Sequence, residues 1–266
     1  MRVENLTVGD VRLSDAEAHH LRDVLRLEIG DVVELFDDAG KVAPATLHTC
    51  DPQSVVARVE RLDAPGAERT LSVVVASAVP KANRADWMIE KLAELGVDEF
   101  VPLATARGVV LPEGKNKLDR WRRLSIEASK QSHRRGVMQV RKLTKLSVAL
   151  DDAQRDAQPA WCLASESHVR ARSIVEAARD LNLVETSTPA RLTVFIGPEG
   201  GWTPEELNLF VARGVTAVRL TNTILRIETA ALTVAGFALC CANFSPGCVN
   251  VEDPVKQKNF LSDDKT

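Results

Sequence analysis

Two stretches near the C-terminus carry residue types and spacings that could do chemistry: Phe195–Glu206 (FIGPEGGWTPEE) and Leu220–Ala231 (LTNTILRIETAA). Each joins a short β-rich run to the start of a helical pattern, so each reads as a strand-to-helix loop of an α/β arrangement. In open α/β sheets such loops lie at the carboxyl ends of the strands, where ligands bind. The first loop is rich in glycine yet carries Glu199, and it has no lysine of the kind a phosphate-binding GxxxxGK[ST] loop requires. A carboxylate there would repel a polyphosphate and would suit a ligand bearing cationic or hydroxyl groups. S-adenosylmethionine is such a ligand.

The elements that must position these loops are legible in the hydrophobic rhythm. Leu71–Val79 is an almost continuous apolar run, as expected of a strand buried on both faces. A helix follows from about Asn83 and stops at Leu95-Gly96, where glycine supplies a left-handed cap. Strands at Phe100–Leu103, Gln139–Leu143, Ala160–Ala164 and Leu192–Ile196 each precede a helical segment, one of them about Lys117–Ser132. This alternation predicts a parallel sheet covered on both faces. Thr203, Pro204 and Glu206 form a capping box with proline at the first helical position. The last helix, about Thr229–Ala242, is apolar all round and must be buried.

Residues 1–68 read differently, as a small β domain. Asp31–Phe36, Lys41–Leu47 and Ser54–Leu62 look like strands around an Asp37–Gly40 turn. Ser14–Leu27 reads as a short helix, with Ser14 and Glu17 as its capping box. Asp63–Glu68 reads as a linker, 69–248 as the second domain, and 249–266 as a polar, disordered tail.

Composition narrows the class. With 45% hydrophobic and 27% charged residues, the chain has the profile of a soluble globular protein. It has no apolar run of membrane-spanning length and no signal peptide at its start, so the expected location is cytoplasmic, without a membrane partner. The five cysteines include no C-x-x-C pair, and adjacent His19 and His20 point apart, so no metal is expected. The net charge of −3 conceals an uneven distribution. Residues 120–145 hold nine Lys/Arg against Glu127 alone, a segment of +8 in a remainder of −11. Two readings stay open: a phosphate-binding footprint, or a solvated helix face.

Five motifs in order, His20–Arg26 (HLRDVLR), Glu90–Gly96 (EKLAELG), Glu127–Arg134 (EASKQSHR), Gly197–Gly201 (GPEGG) and Ile224–Ala230 (ILRIETA), resemble the bacterial ribosomal RNA uridine N3-methyltransferases, the RsmE-type members of the SPOUT superfamily. The resemblance covers most of residues 1–243. It implies an N-terminal PUA-like β-barrel and a C-terminal α/β SPOUT domain with a deep trefoil knot. It also implies a homodimer that methylates N3 of a uridine in 16S ribosomal RNA of the small subunit, with S-adenosylmethionine as donor. Thr221 stands where the family usually has glycine, Met138 where a proline is common, and the N-terminal 68 residues are acidic, seven bases against fourteen acids.

On this resemblance the cofactor site comprises Leu163 and Ala164 after one strand, Gly197, Pro198, Glu199, Gly200 and Gly201 after the next, and Leu220, Thr221, Ile224 and Leu225 in the last loop. The three glycines would permit close approach and positive φ, and the leucines would pack on the adenine. Arg226 and Glu228 follow as candidate catalytic residues. Arg226 either pairs with Glu199 or Glu228 at the base of the site or lies near the uracil. N3 of uracil must lose a proton, so charge develops on O2 and O4. Arg134 or Arg226 is the candidate to stabilise it, and no general base stands out. Candidate RNA contacts are Arg22 and Arg26 on one face of the first helix, Lys81 and Arg84 after the first strand of the second domain, and Gln131, Arg134 and Arg135 at the end of the basic helix. Two other classes fit the sequence less well. A non-catalytic RNA binder needs no cofactor pocket, and a nicotinamide-dependent oxidoreductase would need a G-x-G-x-x-G turn that residues 77–83 do not supply.

Overall fold

A computed structural model describes residues 1–51, 54–63, 71–109, 115–134, 136–155, 158–164, 171–181 and 190–243. Arg135, most of the 63–68 linker and the 249–266 tail lie outside the described residues.

The N-terminal part is an antiparallel four-stranded sheet in the order β1-β4-β3-β2, formed by β1 (Gly9–Arg12), β2 (Val32–Phe36), β3 (Val42–Cys50) and β4 (Val55–Val59). Alternation puts Val33, Leu35, Ala43, Ala45, Leu47, Ala57 and Val59 into one core, as a half-buried sheet requires. The expected helix over Ser14–Leu27 is shorter. It runs as α1 (Asp15–His19) and a π-helical turn over His20–Val24, and Arg26 beyond it is left-handed at φ 55. Only half of the capping box forms. Ser14 Oγ accepts from the Glu17 amide at 3.4 Å, while the buried Glu17 carboxylate pairs with Lys130 instead.

The C-terminal part is an eight-stranded sheet in which all pairings are parallel. Its main path places β10 (Arg172–Ser173), β12 (Thr216–Arg219), β9 (Ala160–Leu163), β11 (Ala190–Ile196), β5 (Leu71–Ser77), β6 (Glu99–Ala104) and β7 (Gln139–Val140) side by side, with β8 (Thr144–Lys145) on β6. Of the strand expected over Gln139–Leu143 only Gln139–Val140 forms, and β8 follows beyond it. Helices α2 (Asn83–Leu95), α3 (Lys115–Gln131), α5 (Ile174–Asp180) and α7 (Ile227–Asn243) cover one face. Trp202 and α6 (Pro204–Ala212) join α4 (Leu146–Gln154) on the other. Gly96 caps α2 at φ 101, and Thr203 and Glu206 complete the expected capping box of α6. The last helix begins at Ile227, two residues before the expected Thr229. Trp121 is buried, edge-on to Phe100, whereas Trp87 is 47% exposed.

The two parts touch through α3. Phe36, Val42 and Val137 form a small apolar cluster with Ile126 against it, and Lys130 reaches the buried Glu17.

Candidate active site

Strands β12, β9, β11 and β5 are neighbours in the sheet, so the loops leaving their carboxyl ends converge. Residues 163–164, 197–202 and 220–226 enclose a cavity of about 540 Å³, within the size range of small-molecule sites. Every expected cofactor residue, Leu163, Ala164, Gly197 to Gly201, Leu220, Thr221, Ile224 and Leu225, lies in its wall, as do Arg226, Arg219 and Trp202.

The glycines hold for different reasons than positive φ throughout. Only Gly201 is left-handed, at φ 70. A Cβ on Gly197 would stand 2.9 Å from the Trp202 ring, so the ring packs flat on bare backbone. Gly200 donates no special angle; its carbonyl accepts from Arg107 Nη1 at 2.7 Å. Trp202 Nε1 donates to the Leu163 carbonyl at 2.9 Å, tying the β9 loop to the β11 loop. Its ring meets Phe210 edge-on at 4.8 Å. Glu206 extends the brace, accepting from the amides of Thr203 and Ala106 at 2.9 Å each. Thr221 needs no glycine geometry: its hydroxyl donates to the Thr223 carbonyl and accepts from the Thr223 amide, closing a turn, as short hydroxyl side chains do in loops.

Among charged groups, Arg84 supplies the pairing expected of Arg226. Its Nη1 donates to Glu228 Oε1 and its Nη2 to Glu199 Oε1, both at 3.2 Å. The hydrogen bond to Glu228, more than that to Glu199, raises the guanidinium pKa further above its ordinary value. Glu228 is buried, and its Oε2 has no hydrogen-bond partner among the described residues. Arg226 lines the cavity and makes no ion pair among the described residues. Burial pushes the Cys162 thiol up to about 12, which leaves it an inert wall atom one residue before the cavity.

Arg134 is the main correction. Its side chain is 7% exposed, with Nη1 donating to the carbonyls of Ala93 and Val97 at 3.1 and 2.7 Å and Nη2 facing Asp98 at 3.5 Å. It caps the end of α2 and faces neither the cavity nor solvent, so neither an RNA contact nor a catalytic role fits its geometry. With Arg134, five of the nine cations of the +8 segment are paired. Arg120 meets Asp86, Arg122 meets Asp119, Lys130 meets Glu17, and Arg141 meets Glu99 and Asp152. Gln131 and Lys81 are exposed. Arg22 and Arg26 do not share a helix face, yet both line a second hollow of about 500 Å³ with Leu27 and Ile29. Arg22 there is held by Asp23 and the Asp51 carbonyl. Among the described residues no group of three or more His, Cys, Asp or Glu side chains is arranged to hold a metal ion, and no helix is long and apolar enough to cross a membrane.

Sequence reasoning missed Trp202, Arg107 and the bridging role of Arg84. Trp202 had a local signal, the aromatic directly after the glycine pair; the other two depend on contacts across the fold.

The geometry has counterparts. Residues 67–239 match the family model described as RNA methyltransferase domain, and residues 13–60 that described as RNA methyltransferase PUA domain. The chain is 34% identical to ribosomal RNA small subunit methyltransferase E of Synechocystis over 228 residues, 85% of this chain and 72% of the relative. It is 28% identical to the Bacillus subtilis protein of that name, covering 83% and 86%. The crystal structure of the Neisseria gonorrhoeae ribosomal RNA small subunit methyltransferase E bound to S-adenosyl methionine superposes with a TM-score of 0.71 at 30% identity, covering 89% of this chain and 94% of that one. A Legionella pneumophila methyltransferase in complex with the same cofactor gives 0.71 at 26%, covering 90% and 96%. With a parallel sheet whose loops close on one cavity, a PUA-type N-terminal part and these relatives, the chain belongs to the ribosomal RNA small subunit methyltransferase E family.

Proposed function

We propose that the protein is a ribosomal RNA methyltransferase that uses S-adenosylmethionine and acts on N3 of a uridine in 16S ribosomal RNA of the small subunit. The observation that carries this reading is the cavity between the β9, β11 and β12 loops, into which all eleven expected cofactor residues converge. The residues present fit the cofactor. Leu220, Ile224 and Leu225 offer an apolar wall for an adenine. Backbone along 197–201 is bare enough for close approach, and Glu199 brings one carboxylate to a cationic, hydroxyl-bearing molecule. Bound S-adenosylmethionine supplies a methyl group on a sulfonium, an electrophile that needs no metal.

The protein then has to orient the nucleophile and stabilise charge on the uracil. Arg226, in the cavity wall, is one candidate for that charge. Arg22, Arg26, Lys81 and Gln131 stay candidate RNA contacts. The same reading carries the deep trefoil knot, a homodimer, a division at residues 68 and 69, and a cytoplasmic location. The test is transfer of labelled methyl from S-adenosylmethionine to small subunits that lack the modification, followed by nuclease digestion. Label in N3-methyluridine is the expected result. Label in another nucleotide would overturn the uridine assignment, and cofactor binding without transfer would overturn the substrate.

A further inference from the structure

Resting on the reading above, we propose that Arg84 is the catalytic cation of the transfer step: Glu228 holds it, and it exchanges Glu199 for the uracil oxygen on which charge develops. Three independent features of the structure meet at this residue.

The first is asymmetry between its two partners. Glu228 is 5% exposed, with one oxygen bound to Arg84 and the other without a partner. An unpaired buried carboxylate is costly, so this arm of Arg84 stays fixed. The Glu199 side chain is 46% exposed. An exposed pair of that kind contributes about 0.2–1 kcal/mol and is readily given up. One arm is anchored and the other is exchangeable.

The second is the turn that aims it. Helix α2 begins after Ala82, a non-glycine residue at φ 54 and ψ −142 with no side-chain cap. Such conformations cost roughly 1–3 kcal/mol and persist where the surroundings impose them. Here the strained turn brings Arg84, two residues on, beside a wall residue of the cavity.

The third is the state of the other cations at this edge. Lys81 is exposed, Arg107 is engaged with the Gly200 carbonyl, and Arg226 makes no ion pair among the described residues. Of these four, Arg84 alone is both held and adjacent to a cavity carboxylate.

The step balances as follows. The N3–H bond breaks and its proton passes to solvent water, leaving negative charge shared with O2 and O4. The freed N–H of Arg84 donates to one of these oxygens. The N3 electron pair forms the bond to the methyl carbon, and the carbon–sulfur bond breaks with its pair retained by sulfur.

The experiment compares full-length wild type with Arg84→Met, Arg84→Lys and Glu228→Gln. Cofactor affinity by titration calorimetry and thermal midpoint are measured first, then kcat and KM on small subunits lacking the modification. Arg84→Met should lower kcat by roughly 100-fold or more, as loss of a charge-stabilising donor does. Its cofactor affinity should stay within about threefold and KM should move little, because the lost interaction is made only in the transition state. Arg84→Lys keeps the charge without the two-armed geometry and should recover about tenfold. Glu228→Gln should lower kcat by about tenfold through a loosened Arg84. Wild-type kcat in Arg84→Met would overturn the proposal. So would a loss of cofactor affinity and thermal midpoint that accounts for the loss of activity, since that marks a brace between loops. Wild type that binds cofactor but never modifies the subunit would instead refute the underlying substrate reading, and this proposal with it.

Discussion

The glycine-rich loop at 197–202 and the basic stretch at 120–145 were the two most conspicuous local signals in the chain, and the fold treats them in opposite ways. In the loop, the local turn is set by neighbours a few residues away, Trp202 on Gly197 and Glu206 on Thr203, and distant contacts to Leu163, Ala106 and Arg107 only brace it. Its residue types therefore carry their geometry with them. In the basic stretch the cations are met by acids from elsewhere, Asp86, Glu17, Asp98 and Glu99. Charge density along a chain says little about field at a surface until the acids brought alongside are known. A motif in which the backbone itself is constrained survives folding as a signal; a run of like charge does not.

That contrast can be broken by mutation at both places. The largest expected effect is at Trp202, which is 8% exposed and links two loops of the site. Trp202→Ala should cost about 3–5 kcal/mol of stability in denaturant melts, and cofactor binding should fall with it. Next comes Gly197→Val, which forces the Trp202 ring away from the backbone. Overpacking of about 1–3 kcal/mol corresponds to roughly 5- to 150-fold weaker S-adenosylmethionine binding by calorimetry. A variant binding as wild type would show that the cavity wall is not the cofactor's.

The basic stretch should respond through stability alone. Arg134→Met removes the donor that the Val97 carbonyl shares with that of Ala93 and should cost about 1–3 kcal/mol of stability in denaturant melts, while the salt dependence of RNA binding stays unchanged. Loss of roughly one unit of that slope would instead return Arg134 to the RNA interface. The smallest effect belongs to Arg122→Ala, an exposed pair with Asp119, within about 0.5 kcal/mol. By contrast Arg26→Ala, whose side chain makes no ion pair among the described residues, should lower the salt slope by about one if the N-terminal hollow tracks RNA phosphates.

How much was legible follows the same line. The parallel sheet, the α2 stop at Gly96 and the capping box of α6 rest on neighbours in sequence, and each could be read in advance. The helix expected over 14–27 starts after Ser14 as its cap predicts, but its far end could not be delimited, because the chain turns π-helical over His20–Val24 and leaves the helix before the left-handed Arg26. Arg84 was expected at the RNA, yet its partners lie 115 and 144 positions away in the chain. Nothing local encodes that bridge. Of the two readings open for Arg226, pairing with Glu199 or Glu228 and a place near the uracil, the pairing is taken by Arg84, and residues two apart at the head of a helix do not face each other. Thr221, a departure from the family's usual glycine, proved harmless for a reason only the backbone supplies, since its φ is not positive.

The central claim is that the loops after β9, β11 and β12 hold the methyl donor. Titration of the full chain with S-adenosylmethionine, alongside Gly197→Val and Arg134→Met, tests it most directly. The account predicts saturable binding at one site per chain, weakened by the loop substitution and kept by the other. Absence of binding in the wild type, or loss on Arg134→Met with Gly197→Val unaffected, would contradict it.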